Sequence, residues 1–151
     1  MERPNVSFCI GNDSTSINAK GILVAAANLL KLPVNDIGTN SIDPVDYPDI
    51  AMRIMENVLS GKNRYGISIS DIGSDMALVA SPVRTIRQCV CMTGRQAEKC
   101  KAKLNANFYC IPASAIADEN TAKEILLAIA TTEFDEGAAL RRLGMIEGKS
   151  E

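Results

Sequence analysis

Short apolar runs alternate along the chain with longer segments in which apolar residues recur every three or four positions. These are the signatures of buried strands and amphipathic helices. Residues 6–10 form the first strand-like run, closed by Gly11. A helix is expected from Thr15 or Ser16, both suited to capping, to Leu32, where Pro33 stops it. Residues 34–37 predict a short strand ending at Gly38, and residues 39–47 a polar loop. Pro48 suits the first turn of a second helix, whose stripe is Ile50, Ile54, Met55 and Val58, up to Gly61. Residues 65–70 predict a third strand, 73–80 a helix stopped by Pro82, and 85–91 a fourth strand. A charged helix over 95–104 and a fifth strand over 108–111 follow. The last long helix is expected over 121–132, with Ile125, Leu126 and Ile129 inward, and a short one around 138–143.

Strand and helix thus alternate about five times, which implies a parallel sheet with right-handed crossovers and helices on both faces. In such sheets a ligand sits beyond the carboxyl ends of the strands, near the reversal of strand order. Polar clusters fall at those ends: Asn12 to Ser14, Asp46-Tyr47, and Ser70 to Asp75. No internal repeat or linker interrupts the chain, so residues 1–151 read as one domain.

Composition narrows the possibilities. The chain is 46% hydrophobic and only 4% aromatic, which suits an aliphatic core between sheet and helices. The net charge is −2 and no basic block occurs, so nucleic acid is not an expected partner. No apolar run reaches the roughly 18 residues of a membrane span. The opening MERPN lacks a basic segment followed by an apolar run, so a cytoplasmic location is expected. Five cysteines without a CxxC pair argue for reduced, mostly buried thiols rather than a disulfide framework or a zinc site. There is no histidine, so acid–base chemistry near neutral pH falls to other groups, and neither a metal nor a cofactor is expected.

The most specific stretch is YGISISDIGSDMALVA, residues 65–80, a strand opening through a small-residue loop into a helix. The first N–H groups of a helix lack internal partners and can face a ligand. The loop carries Ser70, Asp71, Ile72, Gly73, Ser74 and Asp75; no GxGxxG or Walker lysine accompanies it. Asn12, Asp13 and Ser14 read either as a helix-capping turn or as a cluster that puts Asp13 beside a ligand hydroxyl. Lys103, Arg141 and Arg142 read either as solvated helix charges or as phosphate partners.

The order of these motifs resembles the family of type B ribose-5-phosphate isomerases and galactose-6-phosphate isomerase subunits. Without a gap, residues 66–91 follow that family's strand, small-residue loop, helix, Ile-Arg pair (Ile86-Arg87) and strand ending in cysteine (Cys91). The register continues to Asn105 and Asn107. Gly38-Thr39 and Asp46-Tyr47-Pro48 match the family's Gly-Thr pair and Asp-Tyr-Pro, Asp13 and Lys20 match its first strand–helix junction, and residues 134–142 match its C-terminal segment. The resemblance implies a three-layer, flavodoxin-like (Rossmann-like) α/β fold with a five-stranded parallel sheet. It implies a homodimer or homotetramer, or a hetero-oligomer with a paralogue, whose sites lie at the subunit interface. The implied reaction is aldose–ketose isomerisation of a sugar phosphate through an enediolate.

The chain departs from the family at the reacting positions. Ser70 stands for the family's catalytic cysteine and Met76 for its glutamate. Lys103 stands for its ring-opening histidine, Leu104 for the neighbouring asparagine, Ser14 for a second histidine, and Ala138 for the first of two phosphate arginines. Two loop glycines have become Asp71 and Asp75. A phosphate beside either would meet roughly 4 kcal/mol of repulsion at about 4 Å and an effective dielectric near 20. Ser70, Asp71, Asp75 and Lys103 are accordingly the expected catalytic groups. Asp13, Ser14, Tyr47, Ile72, Gly73, Ser74 and Arg142 are the expected substrate contacts. The alternatives are a silent or partner-dependent subunit, and a member that binds another small ligand.

Overall fold

The computed structural model describes residues 6–148; the MERPN opening, where no leader is expected, lies outside them. The strands are Phe8–Asn12 (β1), Val34–Asp36 (β2), Tyr65–Ser70 (β3), Gln88–Val90 (β4) and Phe108–Pro112 (β5). The helices are Ile17–Leu29 (α1), Tyr47–Leu59 (α2), Ser74–Ala80 (α3), Gly94–Leu104 (α4), Glu119–Thr131 (α5) and Gly137–Ile146 (α6). All the strand pairs are parallel, in the order β2-β1-β3-β5-β4. The three-layer α/β architecture is the expected one. Relative to the flavodoxin order the last two strands are exchanged, because β5 returns to pair with β3 and leaves β4 at the edge.

Side-chain alternation divides the core between the two faces. Phe8, Ile10, Ile67, Ile69, Tyr109 and Ile111 pack under α1, α4 and α5 against Leu23, Ala97, Ile125 and Leu126. Cys9, Phe108 and Cys110 face the other way, against Ile50 and Ile54 of α2 and Met76 of α3. α2 lies unusually close to the sheet. A Cβ on Gly11 would stand 2.8 Å from Ile50 Cγ2 and 2.9 Å from Ile54 Cδ1, and one on Gly66 would collide with Ile54 Cγ2. These two glycines let one isoleucine sit directly on β1 and β3.

The differences from the sequence reading lie at element ends. α1 stops at Leu29 rather than Leu32, because Lys31 takes a left-handed conformation (φ 57°) and turns the chain toward Pro33, whose carbonyl accepts Phe8 N–H. The expected fourth strand, 85–91, shrinks to Gln88–Val90. Its first part is diverted by Asn107, whose Oδ1 accepts Arg87 N–H (2.7 Å) and whose Nδ2 donates to Thr85 O (3.1 Å). α5 begins earlier than expected, because Asp118 caps it by accepting Thr121 N–H at 2.8 Å. All five cysteines are unpaired thiols, four of them buried. Among the described residues no helix is long and apolar enough to cross a membrane.

Gly66→Ala must push Ile54 away from β3, an overpacking change expected to cost about 1–3 kcal/mol. Differential scanning calorimetry should show the melting temperature falling by roughly 2–4 °C for each kcal/mol lost.

Candidate functional site at the carboxyl edge

β1 hands the chain to α1 on one face and β3 hands it to α3 on the other, so a crevice opens between their carboxyl ends. Its floor is organised by buried polar groups. Asn12 is fully buried, and its Nδ2 donates to Asp13 O (2.8 Å) and Thr39 O (3.0 Å) while its Oδ1 accepts Thr39 N–H (3.0 Å). This ties the loop after β2 to the end of β1. Lys20, also buried, donates from Nζ to Thr39 O (2.9 Å) and Asn40 Oδ1 (2.6 Å) and stands 3.3 Å from Asp36 Oδ2. Here a buried ammonium is sustained by a carboxylate and two further acceptors.

Asp13 spends one oxygen on structure. Its Oδ1 accepts Thr15 N–H (3.1 Å), Thr15 Oγ1 (2.7 Å) and Ser16 Oγ (2.7 Å), so it closes the turn into α1. Its Oδ2 accepts Asp71 N–H at 3.4 Å, which links the β1 and β3 loops. Ser16 occupies the cap position of α1, yet its hydroxyl serves Asp13 instead of a helix N–H. Ser14 is half-buried beside it. Tyr47 opens α2 at the same edge and packs with Ile37 and Val45 against the α2–α3 core.

The β3–α3 loop is held by Ser70. Its hydroxyl is fully buried, accepts Gly73 N–H (3.0 Å) and donates to Asp75 Oδ1 (2.6 Å). Asp75 Oδ1 also accepts Met76 N–H at 2.9 Å. Gly73 takes φ 74°, a left-handed conformation, and its α-carbon lies against β5: a Cβ there would stand 3.1 Å from both Pro112 N and Pro112 Cδ. Asp75 is half-exposed, and Asp71, Ile72 and Ser74 are exposed. No intrachain acceptor meets the N–H groups of Ile72, Ser74 or Asp75 among the described residues. The loop therefore offers a half-exposed carboxylate with one uncommitted oxygen beside unpaired backbone donors. Ser70, expected among the catalytic groups, is instead sealed beneath them.

Lys103 and Arg142 do not join this crevice within one chain. α4 starts above the carboxyl end of β4 and runs down to Leu104, next to the start of β5, where Phe108 pairs with Gly66. β3 alone separates the two edges by about 17 Å at ~3.3 Å per residue. α6, with Arg141 and Arg142 exposed, packs on α4 at that lower edge, tied there by Asp135 N–H to Ala102 O (2.8 Å). Arg87 reinforces the attachment: its Nε donates to Asn105 O (2.8 Å) and its Nη1 lies 3.2 Å from Glu147 Oε1. Two open concavities of about 1160 Å³ each lie along this amino edge, one lined by Arg64, Tyr65, Lys101 and Phe134, the other by Arg87, Leu140, Arg141 and Met145. The candidate residues thus divide into an acidic set at one edge and a basic set at the other. The buried roles of Asn12 and Ser70 carried no separate mark in the sequence, since polar residues at strand ends read equally as loop.

The parallel sheet and the polar loop after β3 make this an α/β protein with a candidate ligand site at its carboxyl edge, and comparison with known proteins gives the family. The family model described as Ribose/Galactose Isomerase matches residues 8–146, and the chain belongs to that family. A Rickettsia bellii relative, provisionally named a sugar phosphate isomerase, is 32% identical over 138 residues, covering 91% of this chain and 95% of its own. The D-erythrulose-4-phosphate isomerase of Pectobacterium atrosepticum is 30% identical over 145 residues, covering 93% of each. Among solved structures, a ribose 5-phosphate isomerase from Thermotoga maritima superposes with a TM-score of 0.88 at 28% identity, covering 95% of this chain and 98% of that one.

Ser70→Ala strands the buried Gly73 N–H and releases Asp75. A loss of about 1–3 kcal/mol in urea unfolding is expected, the usual cost of an orphaned buried donor.

Proposed function

We propose that this protein interconverts a phosphorylated aldose and its ketose, with Asp75 as the base. The observation that carries this reading is the Asp75 carboxylate itself. Oδ1 is anchored by Ser70 Oγ and Met76 N–H, while Oδ2 has no intrachain donor among the described residues. Such a carboxylate is aimed without being neutralised. It takes the proton from the carbon next to the carbonyl and returns it to the former carbonyl carbon, while the hydroxyl proton passes between the two oxygens of the enediolate. The unpaired N–H groups of Ile72, Ser74 and Asp75 are suited to the developing oxyanion. Ser70 positions the base rather than acting as one.

The phosphate requires cations, and the acidic crevice of a single chain has none facing it apart from the committed Lys20. A second copy supplies them in this reading: its amino edge, with Lys103 and Arg142, docks over the carboxyl edge of the first and forms two equivalent sites about a two-fold axis. Arg142 holds the phosphate, and Lys103 polarises the carbonyl or protonates the ring oxygen. The sugar-phosphate names of the relatives support the substrate class. Full burial of Ser70 and the lack of any histidine favour, as the second reading, a subunit that is inactive without a different partner chain.

Wild-type protein in heavy water is expected to exchange the proton next to the carbonyl of at least one tetrose, pentose or hexose phosphate, read by NMR. Asp75→Asn should slow that exchange by about 10²–10⁴-fold with circular dichroism unchanged. Exchange by Asp75→Asn at the wild-type rate removes Asp75 as the base, and no exchange by wild type with any of these sugars favours the second reading.

Mixing also tests the shared site. Asp75→Asn and Arg142→Ala should each be inactive alone. Random reassortment should restore about a quarter of wild-type activity, because half of the dimers are mixed and each mixed dimer holds one intact site. No recovery despite proven subunit exchange argues that both residues act within one chain.

A further inference from the structure

Three thiols gather on the core face beneath α4, remote from the chemistry above. Cys89 and Cys91 are two residues apart on the β4 segment and therefore share a face, and Cys89 pairs in register with Tyr109 of β5. From Gly94, α4 descends about 9 Å over six residues at ~1.5 Å each, close to the drop of about 7 Å from Cys91 back to Cys89. Cys100 therefore returns level with Cys89 and packs on the same cluster. Cys9 and Cys110 sit on the opposite face of the sheet and cannot enter this group.

The three thiols differ in access. Cys91 is fully buried and Cys89 nearly so, whereas Cys100 is half-exposed at the rim. A soluble oxidant therefore meets Cys100 first. We propose that Cys100 and Cys89 form a peroxide-oxidisable pair that closes to a disulfide joining α4 to β4.

The electrostatics favour the same order. The Cys89 S–H hydrogen-bonds to the Cys100 sulfur and lowers the Cys100 pKa, outweighing its partial burial. Cys89 is held well above the ordinary thiol range by its hydrogen bonds to Cys100 and Cys91 and by burial. Cys100 is thus the reactive thiolate and Cys89 the resolving thiol. Tyr109 Oη, buried with no hydrogen-bond partner, lies in the same cluster.

The chemistry balances with hydrogen peroxide as the oxidant. The Cys100 thiolate attacks one peroxide oxygen and the O–O bond breaks. The sulfur becomes a sulfenic acid, and the departing hydroxide takes a proton to leave as water. The Cys89 sulfur then attacks the Cys100 sulfur. The S–O bond breaks as the S–S bond forms, and the hydroxyl leaves as a second water with the Cys89 proton. The two thiols lose two electrons and peroxide gains them.

The test is to treat the reduced wild-type protein with hydrogen peroxide, block free thiols with N-ethylmaleimide in denaturant, and map the peptides by mass. The thiol count, five per chain when reduced, should fall by two, with the 88–95 peptide joined to the Cys100 peptide. Fragmentation should place the link at Cys89, and dithiothreitol should restore all five thiols. Cys89→Ala should instead leave Cys100 as sulfenic or sulfinic acid; if that variant does not fold, the wild-type map alone decides. The proposal is overturned by five surviving thiols, by a link at Cys91 or between chains, or by wild-type Cys100 oxidised to sulfinic acid without cross-linking.

Discussion

The Ser70 hydroxyl holds together the part of the molecule that could do chemistry. It accepts the Gly73 N–H and donates to Asp75, so one buried oxygen sets both the turn and the carboxylate of the β3–α3 loop. The need for it follows from the fold. A parallel sheet ends its central strands on one edge, where the ladder stops and backbone groups lose their partners. Here side chains replace the ladder: Asn12 for the loop after β2, Asp13 for the start of α1, Ser70 for the start of α3. Each of these residues gives at least one polar atom to the backbone, and Asp75 is left with an oxygen to spare.

The second constraint is distance. Strands of five or six residues keep the two edges of the sheet well over 10 Å apart, and no side chain spans that gap. The carboxylates Asp13, Asp71 and Asp75 stand at one edge, and Lys103, Arg141 and Arg142 at the other, carried there by α4 and by α6 packed on it. The candidate acids and the candidate cations of one chain therefore face opposite ways. In the proposed dimer, the edge carrying Asp13, Asp71 and Asp75 is set against the partner's edge carrying Lys103 and Arg142.

Exchange of cysteine for serine at position 70 and of glycine for aspartate at position 75, relative to the resembled pattern, reads as one coupled change. A hydroxyl donates a short bond to a carboxylate more strongly than a thiol does, and the structure places the two side chains 2.6 Å apart. In the proposed reaction the base then stands in the first turn of α3 rather than at the strand end, while the loop keeps its turn at Gly73 against Pro112. The cysteines that remain are elsewhere in the core, where they pack as small apolar side chains apart from the cluster beneath α4.

Most of the fold was legible in the sequence. Period-two and period-3.6 apolar patterns, punctuated by Pro33, Gly61 and Pro82, set the number, kind and order of the elements, because burial of alternate or every third and fourth residue is a local demand that the chain must satisfy wherever it packs; Gly11, expected to close β1, lies inside it, and the strand runs on to Asn12. The polar clusters at the strand ends were visible for the same reason. What stayed hidden depended on contacts between residues far apart in sequence. Asn107 shortened β4 by capturing the backbone at Thr85 and Arg87, β5 rather than β4 took the place beside β3, and Ser70 turned inward while Asp75 turned out. Only the tertiary structure could assign the acids and the bases to opposite edges, since strand direction and helix path, not spacing along the chain, decide which charges share a surface.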